Sequence, residues 1–131
     1  MSFHVSTSER VQLKDITIEV ASEVQESGIR DGIALVYVPH ATAAVLINEN
    51  ERGLVSDLTW MVRQVVPWDR PYEHDKIDDN AAAHLTSAAL GCTLTLPITG
   101  GQLERGTWQN IFLVELDGPR QRRVIIKTIG E

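Results

Sequence analysis

One continuous apolar run constrains the fold more than any other feature of the sequence. Residues 33–38 are all apolar, and Pro39 ends the run. This pattern is typical of a β-strand that is buried on both faces. The sequence therefore predicts a central strand here, and the segments around it decide the class of fold.

Further strands are predicted on both sides of the central strand. Segment 15–20 alternates with a clean period of two, which is typical of a strand with one buried face. The last three predicted strands are separated by short turns, which favours antiparallel pairing among them. Besides 33–38, the predicted strands are 3–8, 15–20, 43–47 (which could pair back on the central strand), 92–98, 108–116 and 123–129.

Two main helices are predicted, besides one or two possible helical turns at 21–27. The first spans about 51–66 and ends at Pro67. Its apolar residues recur at helical spacing: Leu54, Leu58, Met61, Val62 and Val65. The second begins at Asp78 or Asp79 as N-cap and ends at Gly91. Its predicted core side consists of Ala82, Leu85 and Ala89.

These elements predict an α+β fold, with a mainly antiparallel sheet layered with two main helices. Strands and helices come in separated runs rather than in strict alternation, which is the pattern of this class. The 131 residues suit one domain, so we expect a single domain over residues 1–131.

The charge balance excludes several classes of partner. The net charge is -6 at pH 7, whereas affinity for nucleic acid depends on Lys and Arg side chains. No run approaches the ~18 apolar residues of a membrane helix, and residues 1–10 lack the layout of a signal peptide. We therefore expect a cytoplasmic protein without a nucleic-acid or membrane partner. Cys92 is the single cysteine, so we expect it to be a small buried residue.

The stretch 71–84 gathers the largest number of potential ligands and proton carriers. It holds His74 and His84, four acidic residues and a predicted helix start. A polar loop that leads into a helix N-terminus can surround a ligand, and the first N–H groups of the helix point at it. Together with an acidic residue, the two histidines could bind zinc or another divalent metal. The alternative is a pair of surface histidines in an acidic loop.

Other candidate residues lie at turns and strand ends. His40 follows the central strand and precedes small residues that would let a ligand approach, or it is a turn residue bonded to backbone. The glycines at 99–101 and 106–109 could bind phosphate or simply form hairpin turns. Trp108 could stack on a ring or belong to the core. The basic cluster 120–123 fits a solvated strand edge or a local site for an anionic small molecule, and Arg120 could bind a phosphate with two hydrogen bonds.

Several of these motifs, in this order, resemble the YjbQ-like family, small proteins described as secondary thiamin-phosphate synthases. The resemblance covers roughly residues 33–127. Its motifs are His40-Ala41-Thr42-Ala43-Ala44, Ile47-Asn48-Glu49-Asn50, His74 leading to Asp79-Asn80-Ala81-Ala82-Ala83-His84, Pro97-Ile98 with Gly100, Gly106-Thr107-Trp108-Gln109 and Gly118-Pro119-Arg120. Two positions depart from the pattern. The stretch 75–78 replaces a Glu-Gly-like step, and Ala82 stands where an acidic residue is common.

The resemblance implies a homotrimer whose sites lie near subunit contacts. By position, it assigns catalysis to His40, His84, Asp79 and Glu49, and metal binding to His40, His74 and His84. It assigns substrate binding to Asn80, Gly106, Thr107, Trp108, Gln109 and Arg120. The implied cofactor is a divalent metal, Mg or Zn, and the implied partner is a small phosphorylated metabolite.

Two functions remain open at this point. The first is a thiamin-phosphate synthase-type transferase that joins a pyrimidine methyl diphosphate to a thiazole phosphate, in which a divalent cation and basic groups would stabilise the leaving diphosphate. The alternative is a metal- or metabolite-binding homotrimer without significant catalysis.

Overall fold

The computed structural model describes all 131 residues, which form eight strands and three α-helices. The strands are β1 (Ser2–Ser6), β2 (Gln12–Asp15), β3 (Asp31–Tyr37), β4 (Ala43–Asn48), β5 (Thr93–Thr99), β6 (Gln102–Leu103), β7 (Asn110–Glu115) and β8 (Gln121–Gly130). The helices are α1 (Thr17–Glu26), α2 (Arg52–Val62) and α3 (Ala81–Leu90), with a short 3₁₀ turn at Glu73–Lys76.

The strands form two antiparallel sheets. One has five strands in the order β1-β8-β3-β5-β6, and the other has three strands in the order β2-β7-β4. An eleven-residue core lies between the two sheets, where Val36 and Ile126 of the larger sheet meet Val45 and Leu113 of the smaller one. The predicted α+β class with mainly antiparallel sheets is therefore confirmed.

The smaller sheet is covered on both faces. A second core packs Phe112 and Val114 of β7 against Val62 of α2 and Ala83 of α3. Five consecutive residues of β7, from 111 to 115, are buried as a result. The strand buried on both faces is thus β7 and not the predicted 33–38 run, because Ile33 and Tyr37 of β3 turn outward and stay exposed.

Segment 15–20 was predicted as a strand and is instead the start of α1. The Asp15 carboxylate accepts hydrogen bonds from the backbone N–H (2.9 Å) and the hydroxyl (2.6 Å) of Thr17, which favours a helix start. Ile16, Val20 and Val24 then recur every four residues and are buried, while Ile18 is 82% exposed. The same apolar residues satisfy a helical period, and tertiary packing selects it. Consequently there are three helices rather than two.

Strand pairing also differs from the prediction. The last three main strands do not pair with each other: β5 pairs with β3, β7 with β2 and β4, and β8 with β1 and β3. Nor does β4 pair back on β3, because it belongs to the smaller sheet. Short turns connect β7 to β8, yet this connection crosses from one sheet to the other.

The two predicted helices exist, but their buried faces differ from the prediction. In α2, Val62 is buried and Leu58 packs against the second core, whereas Met61 is exposed. Val65 lies beyond the end of α2 and is also exposed. In α3 the buried residues are Ala81, Ala82, Ala83, Thr86 and Ser87, while Leu85 and Ala89 face outward. The small residues of α3 face inward because the helix packs closely on β4, where the Ser87 hydroxyl donates to the Ala43 carbonyl.

A buried ion pair holds the crossing between the sheets. Arg122 of β8 donates from Nε to the Glu115 carboxylate of β7 at 3.0 and 3.1 Å, and donates further to the Thr42 carbonyl at 2.9 Å. Arg122 is only 4% exposed and Glu115 is fully buried. Burial alone raises the pKa of Glu115, but the hydrogen bonds from Arg122 and Thr7 outweigh it and leave the pKa lowered. Of the basic cluster 120–123, Arg122 is therefore a buried structural residue, whereas Arg120, Gln121 and Arg123 are exposed.

Replacing Glu115 should destabilise the protein strongly. Glu115→Ala leaves the Arg122 guanidinium buried without its partner, which costs about 3–5 kcal/mol. The matched control is Lys76→Ala, which breaks the exposed Lys76–Glu73 pair and should cost within about 1 kcal/mol. Urea unfolding at pH 7 measures both. Equal unfolding free energies for the two variants would contradict the importance of the buried pair.

Candidate functional site

A pocket of about 520 Å³ lies where the 3₁₀ turn meets the start of α3. It contains both histidines of the predicted stretch, together with one arginine and one tyrosine. Its lining residues are Arg70, Pro71, Tyr72, Glu73, His74, Ala81, His84 and Leu85. Six of these eight residues belong to the stretch 71–84 in which a site was predicted.

The 3₁₀ turn places His74 beside the helix. Asp75, inside the turn, accepts a hydrogen bond from the backbone N–H of Ala81 at 3.2 Å and one from Tyr72 N–H at 3.4 Å. Asp75 therefore holds the first turn of α3, the role that the sequence had given to Asp78 or Asp79. The N-cap position itself is Asn80, whose side chain makes no capping hydrogen bond. This leaves the Asn80 amide free for other contacts.

The two histidines are in direct contact. The ring centroids of His74 and His84 lie 4.8 Å apart with the planes at 76°, an edge-to-face arrangement. His74 Nε2 lies 3.1 Å from Asn80 Oδ1. Imidazole nitrogens donate and accept hydrogen bonds, so two of them on one pocket wall can bind a polar group of a ligand.

A buried carboxylate stands behind Asn80. Asp117, in the β7–β8 turn, accepts from Asn80 Nδ2 at 2.9 Å and from Arg120 Nη2 at 3.0 Å, and Arg10 Nε lies 3.3 Å from its other oxygen. Burial alone raises the pKa of Asp117, but the hydrogen bonds from Asn80 and Arg120 and the charge of Arg10 leave it lowered. Asp117 is therefore a carboxylate at neutral pH, and it ties the pocket to the sheet crossing.

The turn that carries Asp117 needs a glycine at the next position. A Cβ on Gly118 would come within 2.2 Å of the Glu9 carbonyl oxygen and 2.8 Å of a Glu115 side-chain carbon. Only the absence of a side chain lets the backbone pass here. The close packing keeps Asp117 aimed at Asn80.

Arg70 is held at the pocket by an aromatic ring. Its guanidinium carbon lies 4.8 Å from the centre of the Tyr72 ring, within the range of a cation–π contact. The Tyr72 hydroxyl donates to the Pro67 carbonyl at 2.6 Å, which fixes the ring. The pocket therefore has one positioned permanent cation.

His40 lies at a different place from the other site histidines. Its Nε2 accepts a hydrogen bond from the Arg123 backbone N–H at 2.9 Å, and it lines a separate cavity of about 410 Å³ with Ser87 and Cys92. Burial and the neighbouring Arg122 charge lower the pKa of His40. The neutral ring that results suits its role as an acceptor for backbone. Here the geometry matches the turn-residue alternative.

The remaining predicted site residues are spread over the chain. Glu49 follows β4 and its carboxylate makes no hydrogen bond or ion pair, while the exposed Asp79 contacts Arg10 only through its carbonyl oxygen. The 106–109 segment forms the β6–β7 loop, where Trp108 is 70% exposed and Gln109 lines another small cavity. Gly106, Thr107, Trp108 and Gln109 therefore do not form a wall of the histidine pocket. Arg120 reaches it only through Asp117.

The donors in one chain do not fit the predicted metal. His40 is apart from His74 and His84, and no group of three or more His, Cys, Asp or Glu side chains is placed to hold an ion. A zinc site with an open position uses three protein ligands. The three predicted metal ligands, His40, His74 and His84, thus do not come together within this chain.

Some site residues were not predicted from the sequence. Arg70 directly precedes the predicted stretch 71–84, and Tyr72 lies within that stretch but was given no role. Leu85 was predicted to face the core and instead lines the pocket. Asp117 was predicted only as part of a turn. It lies 37 residues from Asn80 in sequence, so no local pattern reveals their contact.

The fold has two antiparallel sheets, with α2 and α3 packed on the smaller sheet and α1 packed against the larger one, and it defines a class of small α+β proteins. A family model described as UPF0047 protein YjbQ-like matches residues 1–131. A UPF0047 protein of Archaeoglobus fulgidus is 45% identical over 98% of this chain and 100% of its own length. The UPF0047 protein YugU of Bacillus subtilis is 38% identical, with 98% of each chain covered. The chain therefore belongs to the YjbQ-like (UPF0047) family.

Solved structures agree with this assignment. The crystal structure of a YbjQ-like protein of unknown function from Sulfolobus solfataricus P2 has a TM-score of 0.97 at 46% identity, covering 100% of this chain and 96% of that one. A hypothetical protein from Aeropyrum pernix K1 has a TM-score of 0.96 at 41% identity, covering 100% and 98%. The resemblance seen in the sequence motifs is thereby confirmed.

The function predicted from that resemblance is wrong. The relatives carry only the designation UPF0047 protein, and the Sulfolobus structure is described as a protein of unknown function. Nothing in these comparisons indicates thiamin-phosphate synthase activity or transferase chemistry, and no relative supports metal binding. None of the helices has the length and apolar character needed to cross a membrane.

Asp117 should contribute to stability in a pH-dependent way. Its pKa in the folded state lies below the ordinary value of 3.8, so its contribution is present above that pH and is lost as the pH falls through the lower folded-state pKa. We expect Asp117→Ala to be less stable than wild type at pH 7 and to approach wild type below pH 3.8. Urea unfolding across this range measures the difference. A difference that stays constant with pH would contradict the pairing of Asp117.

Proposed function

We propose that this chain binds a small phosphorylated metabolite in the pocket lined by Arg70, His74 and His84. The observation that carries the proposal is the meeting of three cation-capable side chains in one cavity of about 520 Å³. Small-molecule sites typically occupy ~300–1,000 Å³, so the size suits a single metabolite.

The cationic side of the pocket suits a phosphate. Arg presents two parallel N–H donors that match phosphate oxygens, and Arg70 is already held in place on the Tyr72 ring. Ala81 and His84, the first and fourth residues of α3, also line the pocket, and the Ala81 N–H at the helix start already donates to the Asp75 carboxylate. Glu73 is the single acidic residue in the lining, and Lys76 pairs with it at 2.7 Å.

Part of the pocket lining is apolar. Pro71, Leu85 and the Tyr72 ring offer carbon surface, and Leu85 is 43% exposed although it is a large hydrophobic residue. Burial of this surface under the organic part of a ligand is favourable by roughly 25 cal/mol per Å². A phosphate group attached to a small carbon framework thus fits both the polar and the apolar residues of the lining.

Removing Arg70 should weaken phosphate binding. A hydrogen bond to a charged group contributes about 1.5–3 kcal/mol, so Arg70→Ala should lose roughly tenfold or more in affinity. The matched control is Arg63→Ala, because Arg63 lines a neighbouring cavity of the same volume that contains no histidine. Isothermal titration with glycerol 3-phosphate measures both variants against wild type.

This titration distinguishes phosphate binding in the pocket from binding that depends only on the net charge of the protein. Equal losses in the Arg63 and Arg70 variants would show that binding follows net charge and not this pocket. Absence of any binding to wild-type protein would overturn the proposal.

We also propose that the protein assembles as a homotrimer. The outer face of the larger sheet supports self-association, because Ile33 and Ile129 are paired in register and remain 46% and 68% exposed. Together with Leu35 they line an apolar depression. Exposed apolar patches on a protein surface often mark interfaces.

Light scattering coupled to gel filtration tests the assembly. Wild type should have three times the 14.6 kDa mass of one chain. Ile129→Lys should lower that mass because it places a charge in the apolar patch. The control, Ile18→Lys, changes a residue that is 82% exposed on α1 and should leave the mass unchanged. A monomeric wild type would contradict the proposal.

A further inference from the structure

A chain of hydrogen bonds runs from the β7–β8 turn to the histidine pocket. Asp117 accepts from Asn80 Nδ2 at 2.9 Å, and Asn80 Oδ1 lies 3.1 Å from His74 Nε2. Asn80 and Asp117 are only 6% and 8% exposed, so water does not compete freely for the hydrogen bond between them, whereas the His74 ring is exposed. The donor and acceptor in each of these hydrogen bonds can be assigned by starting from the buried Asp117 carboxylate.

The carboxylate sets the orientation of the amide. An ionised carboxylate only accepts hydrogen bonds, and three donors from Asn80, Arg10 and Arg120 surround Asp117. Asn80 must therefore turn its NH₂ group toward Asp117 and its carbonyl oxygen toward His74. A carbonyl oxygen cannot donate, so the His74 nitrogen that faces it must carry a hydrogen.

We infer that Asp117 is a positioning residue that, through Asn80, holds neutral His74 as the Nε2–H tautomer and leaves Nδ1 as the acceptor nitrogen for the pocket ligand. No residue near Asp117 competes for this role. Arg10 and Arg120 cannot accept a hydrogen bond, and they hold the carboxylate from its other sides.

The fixed tautomer defines a chemical class of ligand. This step rests on the proposed function, because it assumes that a phosphorylated ligand occupies the pocket. Arg70 suits the phosphate, and in the neutral ring the acceptor nitrogen of His74 pairs with a hydrogen-bond donor on the ligand. The ligand class is therefore a phosphate ester that also carries a hydroxyl or amino group.

Nitrogen spectra test the tautomer directly and without any ligand. In long-range ¹H–¹⁵N correlation spectra at pH 8, a protonated ring nitrogen and a bare one have widely separated shifts. Wild-type His74 should show a protonated Nε2 and a bare Nδ1. His84 makes no hydrogen bond through its ring, so it should show averaged shifts and serve as internal reference. Averaged shifts for His74, or a protonated Nδ1, would overturn the inference.

Three variants distinguish positioning from general stabilisation. Asp117→Ala frees the Asn80 amide to turn, and Asn80→Ala removes the acceptor, so both should move the His74 shifts toward averaged values. Arg120→Gln removes an ion pair to Asp117 but leaves Asn80 in place, and it should leave the His74 shifts unchanged. Should Asp117→Ala fail to fold, wild type and Asn80→Ala still decide the question. If Arg120→Gln changes the His74 nitrogen shifts as much as Asn80→Ala does, the inference that Asp117 acts through Asn80 is overturned.

Paired probes test the ligand class. Glycerol 3-phosphate carries hydroxyl groups and propyl phosphate of the same length carries none. Wild type should prefer the first by roughly three- to tenfold, the worth of one hydrogen bond, and Asn80→Ala should lose most of that preference. Equal binding of the two probes overturns the ligand class while the proposed function stands. Binding of neither overturns the proposed function and the ligand class together, and the tautomer is then judged on the spectra alone.

Discussion

The Glu115 carboxylate is the interaction on which the rest of the structure depends. It lies where the chain leaves the smaller sheet for the larger one, fully buried between them. Its oxygens accept from Arg122, from the Thr7 hydroxyl and from the backbone N–H groups of Leu116 and Asp117. A buried charge of this kind is tolerated only with such a complete set of partners. One side chain therefore fixes both the sheet crossing and the turn that follows it.

The geometry of the candidate site depends on the β7–β8 turn. Asp117 is two residues beyond Glu115, and it reaches across to Asn80 at the start of α3. The small residues of α3 let the helix pack closely on β4, which sets the position of His84 relative to the sheet. The histidine pocket thus lies at the surface, and buried contacts such as Asn80–Asp117 connect it to the core. The contacts of Asp75 with Ala81 and of Asp117 with Asn80 connect the polar loop and the start of α3 to the sheet crossing.

The sequence predicted the fold class and the main stretch of the site, but not the contacts between distant segments. Stretch 71–84 contains its own signals, namely two histidines and a helix start, so the pocket could be placed there. The pairing of β7 with β2 and β4 has no local signature, and the short turns suggested hairpins instead. Ile16, Ile18 and Val20 fit a strand period, whereas Ile16, Val20 and Val24 fit a helix, and the packing of the latter three together with the Thr17 contacts of Asp15 selects the helix. The family resemblance likewise pointed to candidate residues. It grouped His40 with His74, which the structure places apart, and it did not define a reaction.

The most direct test of the account uses the four histidines as reporters. Isotope-labelled protein is titrated with inorganic phosphate, and the chemical shifts of the imidazole rings are recorded. The shifts that change identify the histidines that contact the anion. The account predicts that the signals of His74 and His84 move together and saturate. His40, bonded to the Arg123 backbone, and His4 on β1 should stay in place. Saturating movement of His40 without His74 and His84, or no movement of any ring, would contradict the claim that this pocket binds phosphate.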